Sequence, residues 1–154
     1  TLLLGVAFLI GALSGARDIL RPLGNIGRAT SEVPATLRFE RVNNVAELDA
    51  RIVRAQGRVV LLDFYADWCV SCKEMERFTF SDAAVQAKLK DTVLLQADVT
   101  ANNDDDKELL QRFQLFGPPA TLFFDKQGKE LADFRVVGYQ DAQQFMVSLA
   151  NAGL

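Results

Sequence analysis

Residues 58–66 form an apolar, β-rich run, Val59-Val60-Leu61-Leu62 and Phe64-Tyr65, and three residues beyond it stands Cys69-Val70-Ser71-Cys72. A run of this kind, broken only by Asp63, predicts a strand buried on both faces. The cysteine pair then opens a predicted helix reaching about Phe78. A strand feeding a helix through two cysteines confines the chain to a small set of α/β architectures. It also places both sulfurs on one helical face, where a bond between them is geometrically feasible.

The flanking pattern fills in the rest. A strand is expected near Leu37 to Val42, and a helix from Val45 to Gln56 with Val45, Leu48, Ile52 and Val53 on one face. A short helix from Asp82 to Leu89, a strand from Thr92 to Val99 and a helix from Asp104 to Phe113 follow. Ala120 to Asp125 and Glu130 to Val137 should pair across Lys126-Gln127-Gly128-Lys129, before a last helix from Asp141 to Ala150. Alternating strands and helices that end in a hairpin predict a mixed central sheet with helices on both faces. Phe113, Phe123, Phe124 and Phe134 are expected in its core.

Ahead of this domain the composition changes. Residues 1–13 are almost wholly apolar, too few for the roughly 20 of a full span, and read as the end of a transmembrane helix. Residues 14–37, with Gly15, Pro22, Gly24, Gly27 and Pro34, read as a linker, leaving 38–154 as the folded domain. Arg17, Arg21 and Arg28 follow the apolar stretch, and the positive-inside tendency would put that flank in the cytoplasm.

Composition narrows the chemistry. The chain of 154 residues has no histidine, so neither an imidazole base nor the commonest zinc ligand is available. A net charge of −3 with both signs interspersed gives no footprint for nucleic acid. No cofactor or metal site is predicted: Asp104, Asp105 and Asp106 fit a helix N-terminus, whose dipole they complement.

Both cysteines of the chain lie in the one motif. Closing so small a loop would stabilise the fold by only about 2 kcal/mol, which makes stability a poor reason for the pair. Amides and dipole at the helix N-terminus favour a thiolate, the attacking species in exchange. Cys69, at the exposed end, is the expected nucleophile; Cys72, one turn inward, is the expected resolving thiol. Half of a shared metal site and a pair of inert core cysteines are the competing readings, and the strand-to-helix placement argues against both.

Asp63 lies six residues before Cys69 on the strand beneath the site, where burial would raise its pKa and allow proton exchange with the thiols. Glu76, one turn beyond Cys72 and two beyond Cys69, would face the same side and disfavour a thiolate there. Trp68 and Tyr65 flank the nucleophile and are expected to contact a bound partner.

Tyr65-Ala66-Asp67-Trp68-Cys69-Val70-Ser71-Cys72-Lys73 resembles the active-site segment of the thioredoxin superfamily. Leu62-Asp63, Glu76, Thr79-Phe80-Ser81-Asp82 and Leu94-Leu95-Gln96-Ala97-Asp98-Val99-Thr100-Ala101-Asn102 are similar, more narrowly, to the C-terminal periplasmic domain of the DsbD family of thiol:disulfide interchange proteins. The resemblance covers about residues 38–150. It implies a thioredoxin-like fold and a redox-active Cys69–Cys72 disulfide. It also implies a cis-proline loop at Phe116-Gly117-Pro118-Pro119-Ala120, with Pro119 as the cis residue and Pro118 beside it in partner binding.

The resemblance further implies a place at the periplasmic face of a bacterial inner membrane, against the arginine hint. Electrons would arrive from a membrane-embedded donor domain and leave to an N-terminal periplasmic domain of the same polypeptide. From there they would pass to a disulfide isomerase and to thioredoxin-like proteins of cytochrome c maturation. A disulfide oxidase or isomerase, and a binding module with an incidental dithiol, are the alternative functions.

Overall fold

In the computed structural model, which describes residues 37–154, five strands form one mixed sheet in the order β1-β3-β2-β4-β5. They are β1 (Glu40–Arg41), β2 (Val60–Tyr65), β3 (Val93–Asp98), β4 (Ala120–Phe124) and β5 (Val136–Val137). β2 runs parallel to β3 and antiparallel to β4, and every residue of β2 is buried. That position explains why it is apolar except at Asp63: a strand hydrogen-bonded on both edges and covered on both faces meets no water.

The helices are α1 (Val45–Arg54), α2 (Val70–Glu74), α3 (Ala83–Lys88), α4 (Asp104–Arg112) and α5 (Ala142–Asn151). On one face Leu62, Phe64, Leu122 and Phe124 pack with Leu48 and Ile52 of α1 and with Leu109 and Leu110 of α4. On the other, Leu61 and Phe123 pack with Met75, Phe80, Val85 of α3, and Phe145 and Leu149 of α5. Strand alternation sorts neighbours in β2 and β4 to opposite layers. Helix starts follow the side chains: Asn44, Asp82, Asn103 and Asp141 each cap the helix after them, and Asn103 with Asp106 and Asp141 with Gln144 close reciprocal boxes.

Several expectations need correction. The first strand keeps only two ladder residues, Glu40–Arg41; Leu37 and Phe39 ahead of it pack against the layer of Leu61 and Phe80, and after it the Val42 N–H still donates to the Gln96 carbonyl at 3.0 Å. The helix opened by the cysteines does not continue as an α-helix to Phe78; after Glu74 it becomes a π-helical turn, Met75–Thr79, in which the Phe80 N–H donates to the Met75 carbonyl at 2.8 Å. The strand expected over Glu130 to Val137 is broken: Glu130 bridges Phe124, Ala132–Phe134 form a 3-10 turn, and only Val136–Val137 rejoin β4. That turn carries Phe134 out of the core, to 41% exposure.

The expected membrane segment (1–13) lies outside the described residues, as does all of the linker (14–37) except Leu37. Among the described residues no helix is long and apolar enough to cross a membrane.

Candidate active site

At the end of β2 the chain turns through Ala66, Asp67 and Trp68, and Cys69 becomes the N-cap of α2. Its backbone is extended and its sulfur accepts the Cys72 N–H at 3.1 Å, the task an N-cap oxygen usually performs. Cys69 and Cys72 are joined in a disulfide with a Cα separation of 5.2 Å. The Cys72 sulfur also lies 3.9 Å from the Phe64 carbonyl oxygen, against the end of β2. Both cysteines are buried, at 6% and 3% exposure, so the expected exposure of Cys69 is not found. Capping its own helix turns the sulfur inward over the first-turn amides.

The turn before Cys69 is pinned to the segment after β3. The Asp67 N–H donates to Thr100 Oγ1 at 2.9 Å, and Trp68 Nε1 donates to the Thr100 carbonyl at 3.1 Å. Trp68 remains 60% exposed, a large apolar surface beside the dithiol. The Pro118–Pro119 bond is cis, and the Pro119 carbonyl accepts the Gly138 N–H at 3.0 Å, tying this loop to the end of β5. Phe116, on the same loop, is fully exposed.

Residues 46–153 match the thioredoxin-like domain family. The oxidised C-terminal domain of DsbD from Neisseria meningitidis superposes with a TM-score of 0.59 at 31% identity, covering 71% of this chain and 95% of that one. The reduced form of the same domain gives 0.58 at 31%, covering 70% and 96%. The chain belongs to the DsbD C-terminal family of thioredoxin-like domains. The thiol:disulfide interchange protein DsbD of Ralstonia nicotianae is 55% identical over an alignment of 155 residues that covers 97% of this chain and 25% of that protein. The chain thus spans about a quarter of the length of the curated relatives it matches.

Within this DsbD-type domain, the face of the sheet beneath the π-helical turn carries a row of polar side chains across three strands. Asp63 of β2 stands opposite Gln96 of β3 and Thr121 of β4. All three are buried, and Gln96 Nε2 donates to Asp63 Oδ2 at 3.0 Å. Burial pushes the Asp63 carboxyl up to about 7; the Gln96 hydrogen bond opposes this, and the charge of Glu76 adds to it. The expectation of a raised Asp63 pKa therefore holds.

Glu76 sits in the π-helical turn and is exposed. Its charge acts on Asp63, Tyr65 and Lys73. Tyr65 is at 4% exposure, so it braces the site from inside and presents no surface to a partner, contrary to expectation. Its hydroxyl donates to Asp67 Oδ1 at 2.9 Å and accepts from Lys73 Nζ, and burial pushes its phenol pKa up.

Gln96, Lys73, Asp67 and Thr100 stand within the motifs quoted from the sequence but carry no role of their own there. One signal for Gln96 was present: it is the single amide within the apolar run of β3, in the same alternation phase as a buried partner of Asp63.

Proposed function

We propose that this domain is a protein-disulfide reductase and electron relay in which Cys69 attacks and Cys72 resolves. The observation that carries this reading is the Cys69 sulfur at the N-cap of α2, accepting the Cys72 amide and bonded to Cys72. Thiol:disulfide interchange is the chemistry for which the DsbD relatives are named.

In the reduced domain the Cys69 thiolate attacks one sulfur of a partner disulfide. A mixed disulfide forms and the partner's other sulfur leaves as a thiolate, which takes a proton. The Cys72 thiolate then attacks the Cys69 sulfur, the mixed bond breaks, and the second partner thiol leaves. Two electrons and two protons pass to the partner, and Cys69–Cys72 is oxidised. The Cys72 amide and the helix dipole favour charge on Cys69, while negative charge on Asp63 and Glu76 disfavours it. Asp63, on the strand residue next to Phe64 and ionising near neutrality, is the group that takes and returns the resolving thiol's proton.

Exposed Trp68 and the Pro118-Pro119 loop form the surface a partner disulfide meets. The place in the larger protein is part of the same proposal. The apolar residues 1–13 and the quarter-length match to DsbD support a periplasmic domain tethered to the inner membrane, reduced by a membrane-embedded donor domain and oxidised by an N-terminal periplasmic domain. Disulfide isomerase and cytochrome c maturation proteins lie downstream.

Equilibrating the chain in graded glutathione buffers and trapping free thiols gives the potential of the couple. A value of about −200 to −270 mV is expected for a relay; one near −120 mV would make it an oxidase, and absence of exchange would leave only a binding module.

A further inference from the structure

Charges of both signs are interspersed along the sequence, but folding gathers cations at the end of the sheet away from the dithiol. Arg38 ahead of β1, Arg51 and Arg54 in the last turn of α1, Arg58 just before β2 and Lys90 just after α3 line one cleft of about 480 Å³. Among the described residues that line it, Glu40 is the one carboxylate. The strand register fixes the place of this cleft. Val60 of β2 pairs with Val93 of β3 at one end of the sheet, and the chain leaves β2 for Cys69 at the other, beyond Tyr65. The six residues of β2 put about 17 Å of strand between the two ends.

Few of these cations are neutralised within the domain. Arg51 pairs with Glu40, and Arg58 Nε donates to the Asp91 carbonyl at 3.1 Å. Arg38, Arg54 and Lys90 are exposed and meet no acceptor among the described residues. The dipole of α1 accounts for cations in its last turn, Arg51 and Arg54. It does not account for Arg38, Arg58 and Lys90, which reach the cleft from other segments.

Such a cleft fits a phosphate-bearing anion, whose oxygens a guanidinium fork meets in pairs while an ammonium adds charge. The chain itself indicates which one. Leu37, the first described residue, lines the same cleft, so residues 1–36 join the domain at its rim. If residues 1–13 anchor the chain, the bilayer is tethered to the domain at this end. We propose that the cleft docks the domain on the phosphodiester headgroups of anionic lipids through Arg38, Arg54, Arg58 and Lys90. The choice of lipid as occupant rests on the reading of residues 1–13 as a membrane anchor. Docking at this end holds Cys69 and Cys72 on the far side of the domain, open to a partner disulfide away from the bilayer.

The test is partition of the whole chain onto vesicles of phosphatidylcholine alone and of phosphatidylcholine mixed with phosphatidylglycerol. Residues 1–13 and Arg17, Arg21 and Arg28 are the same in every variant, so the comparison isolates the cleft. Arg54→Gln with Lys90→Gln removes two exposed cations and no hydrogen bond among the described residues. Each basic residue near an anionic surface strengthens binding about fivefold. The double variant should therefore lose about 25-fold of the gain that phosphatidylglycerol brings, and nothing on neutral vesicles. Arg54→Lys should keep the gain, and about 1 M salt, which screens charges beyond about 3 Å, should abolish it. Backbone amide exchange in residues 51–58 and 88–94 should slow on the anionic vesicles only.

A gain from phosphatidylglycerol that survives the double variant, or exchange in those residues that ignores phosphatidylglycerol, overturns the proposal. So does protection of the same amides by glycerol phosphate where anionic vesicles give none, since the ligand would then be a soluble phosphate. The anchor is judged separately. A chain that ignores neutral vesicles sinks the anchor reading of residues 1–13, while loss of the anionic gain in the double variant would still uphold the cleft.

Discussion

Replacing Asp63 by asparagine should change the pH dependence of stability more than stability at any one pH. In the folded chain Asp63 ionises at about 7 against an ordinary 3.8, a difference of about three pH units. At about 1.4 kcal/mol for each, the difference corresponds to about 4 kcal/mol. Below pH 3.8 the carboxyl is protonated in both states and contributes nothing that depends on pH. Between 3.8 and about 7 the unfolded chain releases this proton while the folded chain keeps it, so stability falls as pH rises; above about 7 the loss is complete. An asparagine in its place does not titrate. Whatever packing or hydrogen-bond change the substitution brings is common to all pH values. The difference in unfolding free energy between variant and wild type should therefore grow by about 4 kcal/mol in favour of Asp63→Asn from about pH 3.5 to about pH 8. Urea unfolding of the disulfide-intact chains measures it: with a slope of about 2 kcal/mol per molar, the two midpoints should move apart by about 2 M across that range. Midpoints that keep a constant separation would refute the argument, because a carboxyl that stays ionised in the core, or one reached by water, predicts parallel curves.

The exchange mechanism predicts an asymmetry between the cysteines. Cys72→Ser should accumulate a mixed disulfide through Cys69 with a disulfide-bearing partner, resolved on a non-reducing gel, whereas Cys69→Ser should accumulate none. Glu76→Gln should lower the pH at which Asp63 ionises, since a repelling charge is removed, and the alkylation profile should lose this effect when Asp63 is already asparagine. Gly128→Ala should destabilise the chain by about 1 to 2 kcal/mol, read as a lower urea midpoint. The turn holds Gly128 at φ +82°, and an added Cβ would stand 2.9 Å from Ile52 Cγ2.

What was legible in the sequence is what short-range chemistry decides. β2 declares itself through an apolar run broken only by Asp63, and the starts of α3 and α5 through Asp82 and Asp141, because a cap is a contact between residues two or three apart. Asp63 was visible as the one charge in an apolar strand. Gln96 was not assigned because its meaning depends on the β2-β3 register, which brings together residues 33 positions apart. The broken strand after Glu130 has the same origin. Phe134 looks like core by residue type alone, and only the 3-10 turn before β5 decides that it faces water.

The π-helical turn lies beside the residue whose charge reaches the buried acid. A regular helix from Cys69 would stack Glu76 one turn above Cys72, so that its charge would bear on the sulfurs from the same face. Bonding Phe80 to Met75, five residues back, inserts one extra residue into the turn after Glu76, while Glu74 and Met75 keep regular helical dihedrals, so Glu76 still follows Cys72 by one turn. Met75 and Phe80 join the core against Leu61, while Glu76 lines a cleft with Gln96 and acts on Asp63. Residue types offer no sign of it, since no proline or glycine marks residues 70–80 and the competing α-helix would need the same side chains. The carboxylate one turn beyond Cys72 thus acts on the buried acid beneath the dithiol. On the proposed mechanism, Glu76 modulates exchange through the protonation of Asp63.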